Sequence, residues 1–177
     1  MKKILQYGRH LLRAKGRHGT HSPFVYAFVE QVMRARPPRM LPSQDQFGPR
    51  AAGLLYQTLR YLAPPAIYAD PSLYDAVTAI VSLALPGVVV HSWTAGTIPA
   101  QTLLLCRIGT ELPGRLEVVL AQPAKVLLLQ PHAGKVATGI WEQLAAWPTV
   151  KISLDYWHFG LLVNDGAFKA RQHFSLR

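Results

Sequence analysis

Two histidines stand at the ends of predicted strands, where they could carry acid–base chemistry. His91 closes the β-branched run 88–91, and His132 follows the apolar run 125–130, separated from it only by Pro131. Because the pKa of an imidazole lies near neutrality, either side chain could remove a proton from a substrate at physiological pH. A single histidine is also a common structural residue, so a packing role remains the alternative for both.

Other reactive residue types give weaker signals. His18 and His21 are spaced by three, but no neighbouring cysteine or carboxylate completes a ligand set, so we predict a loop-capping role and no metal. Cys106 lies in the apolar run 103–108 and is predicted to be a buried thiol. The sequence contains neither a Gly-x-Ser-x-Gly turn nor a phosphate-binding glycine loop with a lysine. These absences disfavour serine hydrolases of that type and P-loop nucleotide hydrolases.

The composition is that of a folded protein. With 177 residues, half of them hydrophobic, the chain is expected to form one domain without long disorder. No apolar run reaches the length of a membrane span, and residues 1–16 lack the apolar core of a secretory signal. We therefore expect a cytoplasmic protein and not an integral membrane protein.

The positive charge is concentrated at one end of the chain. Residues 1–60 carry eleven lysines and arginines against two acids, whereas residues 61–177 carry eight against seven. This asymmetry favours RNA or another polyanion as a partner of the N-terminal third. The candidate contacts are Arg9, Arg13, Lys15 and Arg17, which lie within or just after a helix predicted over residues 3–15. A solvated basic helix, a protein partner and a homo-oligomer remain alternatives.

Apolar periodicity predicts alternating strands and helices after residue 62. The predicted strands are 66–69, 88–91, 102–108, 125–130, 149–155 and 160–164, of which the last two form an antiparallel hairpin. The predicted helices are 3–15, one that begins at Pro23 after the N-cap Ser22, 51–61, 72–85, 113–121 and 135–146. Continuous apolar strands separated by helices indicate an α/β fold with a mainly parallel sheet covered on both faces. We divide the chain into a basic helical N-terminal extension, 1–62, and an α/β core, 63–177.

The two ends of the chain carry distinctive motifs. The first is His18-Gly19-Thr20-His21-Ser22-Pro23-Phe24, and the second combines Phe159-Gly160 with Gln172-His173-Phe174. With these motifs the chain resembles a family of small bacterial class I methyltransferases that use S-adenosylmethionine (SAM). The resemblance covers almost the whole chain and implies a Rossmann-like methyltransferase fold with a C-terminal antiparallel hairpin. The chain is shorter than typical members, and a helix and a strand are expected to be missing between His91 and Thr102.

The resemblance also implies where a cofactor would bind. SAM would lie at the carboxyl ends of the first strands, with Asp70 and Ser72 after the first strand and Ser92 after the second as candidate contacts. His18, His21 and Phe24 would belong to a loop over this cleft. The glycine-rich turn of the family is absent after the first strand.

Two further positions depart from the family pattern. Relatives tend to carry Asp-Gly after the strand that matches 103–108, where this chain has Arg107-Ile108-Gly109. Relatives also tend to carry an Asp pair and a His after the next strand, where this chain has Gln130-Pro131-His132. The resemblance thus predicts a methyltransferase-like protein with lost or weakened SAM binding that acts as a binding or scaffold protein. The alternatives are an active methyltransferase of unknown substrate with His132 or His91 as base, and a helper subunit of an active relative.

Overall fold

The computed structural model describes Tyr7, residues 22–38, Leu41 and residues 46–176. The helices within these residues are α1 (Pro23–Phe28), α2 (Pro49–Leu62), α3 (Tyr74–Ala84), α4 (Leu112–Leu120) and α5 (Lys135–Ala145). A π-helical turn (Val29–Met33) continues α1, and a 3₁₀ turn (Pro71–Leu73) leads into α3. The strands are β1 (Ala66–Ala69), β2 (Val89–Ser92), β3 (Leu103–Arg107), β4 (Ala124–Leu129), β5 (Ile152–Asp155), β6 (Phe159–Asn164) and β7 (Gln172–Ser175).

The strands of the described residues form one seven-stranded sheet in the order β2-β1-β3-β4-β6-β5-β7. β1 pairs in parallel with β2 and β3, β3 pairs in parallel with β4, and β5 pairs in parallel with β7. β6 lies antiparallel between β4 and β5. The predictions of an α/β fold, a mainly parallel sheet and a closing antiparallel hairpin are therefore confirmed.

Most strand and helix positions agree with the sequence prediction, and the differences have local causes. The predicted helix 72–85 becomes α-helical only at Tyr74, because the 3₁₀ turn before it is capped by Asp70. β7 was not predicted, since Gln172–Ser175 has no apolar run; it exists because its backbone pairs with β5. The segment 93–102 contains neither helix nor strand, as expected.

The N-terminal helices share a core with the sheet. The predicted helix start is confirmed, with Ser22 as N-cap and Pro23 in the first turn, although the Ser22 side chain makes no capping hydrogen bond. Phe28 is fully buried, and its ring lies 5.5 Å from that of Tyr61 and 5.2 Å from that of Tyr156. The predicted helix 3–15 lies outside the described residues, apart from Tyr7.

Alternate residues of the central strands face two separate apolar layers. In β3, Leu103 and Leu105 pack in the layer formed with α1, α2 and α3, whereas Leu104 and Cys106 pack in the layer formed with α4 and α5. This alternation is what a strand buried on both faces requires. Cys106 is the buried thiol that its apolar neighbours predict, and burial raises its pKa above the ordinary value.

The second layer depends on one close contact. A Cβ atom on Gly160 of β6 would lie 2.6 Å from Cε3 of Trp141, whose side chain in α5 is almost completely buried. Glycine at this position therefore lets the indole ring lie directly on the strand backbone. The Phe-Gly pair of the C-terminal motif has a packing role for this reason.

Among the described residues, no helix combines the length and the hydropathy that a bilayer span requires.

We predict that Gly160→Ala destabilises the fold by about 1–3 kcal/mol, because the added methyl group overpacks the Trp141 contact. The matched control is Gly139→Ala in α5, where an added Cβ meets no atom within 4 Å. That change should raise the free energy of unfolding by up to about 1 kcal/mol, since alanine favours helix. Urea denaturation of the two variants and the parent measures both effects. Equal stability of the two variants would contradict the prediction.

Candidate functional site

Polar and titratable side chains that could bind a ligand or transfer a proton lie at one edge of the sheet. β1, β2, β3 and β4 run in the same direction, so Asp70, Ser92, Arg107 and Gln130 stand at or just after their carboxyl ends. In open α/β sheets this edge is where ligands bind. Two separate groups of side chains occupy it, one beside β1 and β3 and one beside β4 and β5.

The first group lines an open groove of about 310 Å³. The groove follows β1 and β3 and includes the loop that leads into α4. Its polar lining consists of Asp70, Ser72, Arg107, Thr110, Glu111 and Arg115. The structure thus brings the predicted cofactor contacts Asp70 and Ser72 together.

Asp70 and Ser72 bind each other across the 3₁₀ turn. Oδ1 of Asp70 accepts hydrogen bonds from the backbone N–H of Ser72, at 3.4 Å, and from its hydroxyl, at 3.3 Å. The next backbone N–H, that of Leu73, donates to the carbonyl of Asp70 at 2.8 Å, and Pro71 has no N–H. The turn after β1 therefore has no unbonded backbone donor at residues 71–73 to offer a ligand.

The end of β2 presents little polar chemistry to this groove. Ser92 is exposed, pairs with Ala69 in the sheet register and is not part of the groove lining. His91 is exposed and stacks on Tyr68, with 4.9 Å between the ring centroids. Trp93 turns inward, is 3% exposed, and donates from its indole N–H to the carbonyl of Gly96.

Two guanidinium groups belong to the groove lining. Cζ of Arg115 lies 4.4 Å from the ring centroid of Trp93, a distance typical of a cation–π contact. Nη2 of Arg107 donates a hydrogen bond to Oε1 of Gln46. The sequence identified Arg107 as a departure from the family pattern, but it gave no signal for Arg115, which α4 carries to the groove from its first turn.

The second group is a hydrogen-bonded pair of side chains, His132 and Asp155. Nε2 of His132 lies 2.8 Å from Oδ2 and 3.0 Å from Oδ1 of Asp155, whose carboxylate is almost completely buried. The backbone N–H of Trp157 donates to the same carboxylate at 3.1 Å, and the Trp157 ring stacks on the imidazole at 4.8 Å. The ring of Tyr7 lies edge-on to the ring of Trp157, with 4.8 Å between the centroids.

The backbone around this pair is strained at two residues. Gln130, directly after β4, has φ of 56°, and Trp157, in the turn between β5 and β6, has φ of 69°. Left-handed backbone is unusual for a residue as bulky as tryptophan, and such strain is found most often where a site requires it. The Gln130 N–H donates to the carbonyl of His158 at 2.8 Å, which ties the two strained segments together.

Two more histidines lie near this pair. Burial lowers the pKa of His158, and the nearby charge of Arg50 lowers it further. Burial also lowers the pKa of His173, partly opposed by Asp155 and Glu142. Among the described residues, no cluster of three or more histidines, cysteines and carboxylates is placed to hold a metal ion.

Several predicted site residues lie outside the described part of the chain: Arg9, Arg13, Lys15, Arg17, His18 and His21. Their predicted roles as polyanion contacts and as a loop over the cleft remain predictions. Phe24 is described and belongs to an aromatic cluster, with its ring 5.4 Å from that of Phe168 and 5.7 Å from that of Tyr61. It packs α1 against α2 and the segment before β7.

Comparisons with family models, with curated proteins and with solved structures gave no match. The chemistry of the sheet edge therefore has to be argued from its own residues.

We predict that His132→Ala destabilises the protein by about 1–3 kcal/mol, because it removes the imidazole that is hydrogen-bonded to the buried carboxylate of Asp155. Asp155→Ala should lower the free energy of unfolding less in the His132→Ala variant than in the parent protein. A double-mutant cycle by urea denaturation measures this coupling. Additive effects of the two substitutions would show that the pair contributes nothing as a unit.

Proposed function

We propose that this chain is a methyltransferase-like protein in which SAM binding is lost or weakened, and that it acts by binding rather than by methyl transfer. The observation that carries the proposal is the turn after β1. Its N–H groups are absent at Pro71 or bonded within the turn at Ser72 and Leu73. A cofactor that depends on close approach to the backbone finds no donor at these residues.

The fold of the described residues agrees with the proposal of a methyltransferase-like protein. The described residues form a mainly parallel sheet with helices on both faces, and β5 and β6 close it as an antiparallel hairpin. The segment between β2 and β3 has no helix or strand, as the resemblance to shortened methyltransferases implies. A fold of this kind supports many activities, so the function has to rest on the side chains.

The side chains at the groove do not fit SAM. The methionine end of SAM carries two positive groups, a sulfonium and an ammonium, beside one carboxylate, and Arg107 and Arg115 bring two further positive charges to the groove. Like charges in a partly desolvated site repel each other strongly. After β2, where a carboxylate would bind the ribose hydroxyls, the chain has only the exposed hydroxyl of Ser92 and the inward-turned Trp93. We therefore derive no methyl-transfer step for this chain.

The charge of the N-terminal third supports a polyanionic partner such as RNA. The described arginines of this segment, Arg34, Arg36, Arg50 and Arg60, are all exposed. Only Arg34 has an acidic partner in this group, Glu30 at 3.1 Å. A basic surface of this kind binds phosphate backbones through counterion release, which makes the affinity fall steeply with salt.

A second candidate function, an active methyltransferase of unknown substrate, is favoured by the His132–Asp155 pair. A carboxylate that orients an imidazole is the arrangement of a general base, because it fixes the ring and stabilises its protonated form. Nδ1 is the ring nitrogen that does not face Asp155. This candidate requires that the protein still bind SAM, so one titration separates the two functions.

We expect calorimetric titration with SAM and with S-adenosylhomocysteine to give no binding at millimolar ligand. The physical reason is that residues 71–73 have no unbonded backbone donor and that two guanidinium groups line the groove. Near-ultraviolet circular dichroism of the same sample verifies that its aromatic core is folded. Micromolar binding of either compound would contradict the proposal and favour the active enzyme, with His132 as the first residue to substitute.

We also expect a fluorescent RNA oligonucleotide to bind with an affinity that falls as salt rises. Reversing the charge of Arg9, Arg13 and Arg17 to Glu should reduce the affinity and make the salt dependence shallower, because fewer counterions are released. The matched control reverses three basic residues of the C-terminal part: Lys125, Lys135 and Lys169. An equal loss in the control would show that net charge, and not the N-terminal segment, determines binding.

A further inference from the structure

Arg115 is held rigidly in the groove with a donor unsatisfied. Its guanidinium group lies over the ring of Trp93, which is itself fixed by burial and by the hydrogen bond to Gly96. The Nε atom of Arg115 is buried and has no hydrogen-bond partner among the described residues. Buried polar atoms without a protein partner are rare in folded proteins, so this donor indicates that Arg115 has a role besides packing.

Arg107 reaches the same groove from the end of β3. One of its terminal nitrogens donates to Gln46, which orients the group. A guanidinium carries five N–H donors in a planar fork, so this single bond leaves most of its donors to other acceptors. Two arginines on one groove present a set of donors that matches the oxygens of a phosphate or a carboxylate.

Two acids, Asp70 and Glu111, share the groove lining with these arginines. The Oδ1 atom of Asp70 is bonded to Ser72 within the 3₁₀ turn. Glu111 is exposed at the start of α4, and its side chain makes no capping hydrogen bond. Solvent screens an exposed carboxylate, so Glu111 opposes an anion only weakly.

We infer that the groove beside β1 and β3 binds a small oxyanion through Arg107 and Arg115. The ligand would carry a phosphate or a carboxylate group, and the hydroxyl of Thr110 in the lining can donate a further hydrogen bond to it. A volume of about 310 Å³ lies at the small end of ligand pockets, which suits a small metabolite. The inference rests on the proposed binding function and names the ligand class of that protein.

The test is calorimetric titration of the full chain with inorganic pyrophosphate and, separately, with malonate, at constant ionic strength. Binding of pyrophosphate alone, or more tightly than malonate, assigns the site to phosphate compounds, and the reverse assigns it to carboxylates. Arg107→Gln and Arg115→Gln should each weaken binding about ten-fold, because each removes charge-assisted hydrogen bonds. Glu111→Gln should strengthen it up to about five-fold by removing an exposed like charge.

Two control variants separate the loss of a groove contact from a general loss of charge or of folding. Lys169→Gln removes one positive charge from an exposed residue that is not part of the groove lining and should leave the affinity unchanged. Arg115→Lys keeps a cation beside Trp93 but not the planar fork, so it should fold normally and still weaken binding. The thermal midpoint and tryptophan fluorescence of each variant verify that Trp93 remains packed.

Absence of binding by both pyrophosphate and malonate at millimolar concentration would overturn the inference. So would an affinity that Arg107→Gln leaves unchanged or that Lys169→Gln lowers equally. A different result would contradict the proposed function, namely micromolar binding of SAM in the same buffer. Absence of all binding would overturn this inference and leave the loss of SAM binding standing.

Discussion

The arrangement of the candidate sites depends on the pairing of β6 between β4 and β5. Because β6 runs antiparallel to both neighbours, β4 and β5 both end at the same edge of the sheet. Phe159, the first residue of β6, pairs with Leu129, the last residue of β4, so the turn between β5 and β6 stands beside the end of β4. This register delivers Asp155 to His132 across an intervening strand.

The same strand also determines the packing below the site. Gly160 leaves space for the ring of Trp141, and Trp141 anchors α5 on the sheet. α5 begins at Lys135, shortly after His132, so the position of the helix bears on where the histidine can lie. Packing and chemistry are therefore linked through one glycine, because a side chain at this residue would move the helix that follows the histidine.

The two groups at the sheet edge have different electrostatic character. In the groove, the guanidinium groups of Arg107 and Arg115 share the lining with Asp70 and Glu111. The backbone N–H groups of the turn after β1 are hydrogen-bonded within that turn. Beside β4, a buried carboxylate holds an imidazole and a stacked indole. The first group has the chemistry to recognise an anion, and the second has that of an acid–base pair.

The sequence by itself determined the class of the fold and most of its elements. Apolar runs such as 66–69 and 125–130 and the Ser22-Pro23 helix start are local signals, since burial on both faces and helix capping each leave a pattern in neighbouring residues. The sequence also marked His132, Asp70 and Ser72 as residues of interest. The sequence pattern did not predict β7, because its pairing with β5 depends on backbone hydrogen bonds, which leave no pattern in the side chains.

Only the tertiary structure decided which of these residues meet. Asp155 lies 23 positions from His132, and Arg115 reaches Trp93 from a different element, so neither contact leaves a local pattern. The order of the strands brings each pair together, and that order follows from how the whole sheet is buried rather than from any single segment. Contacts across a sheet depend on register and on strand order, which is why the chemistry of the edge could be described only once the fold was known.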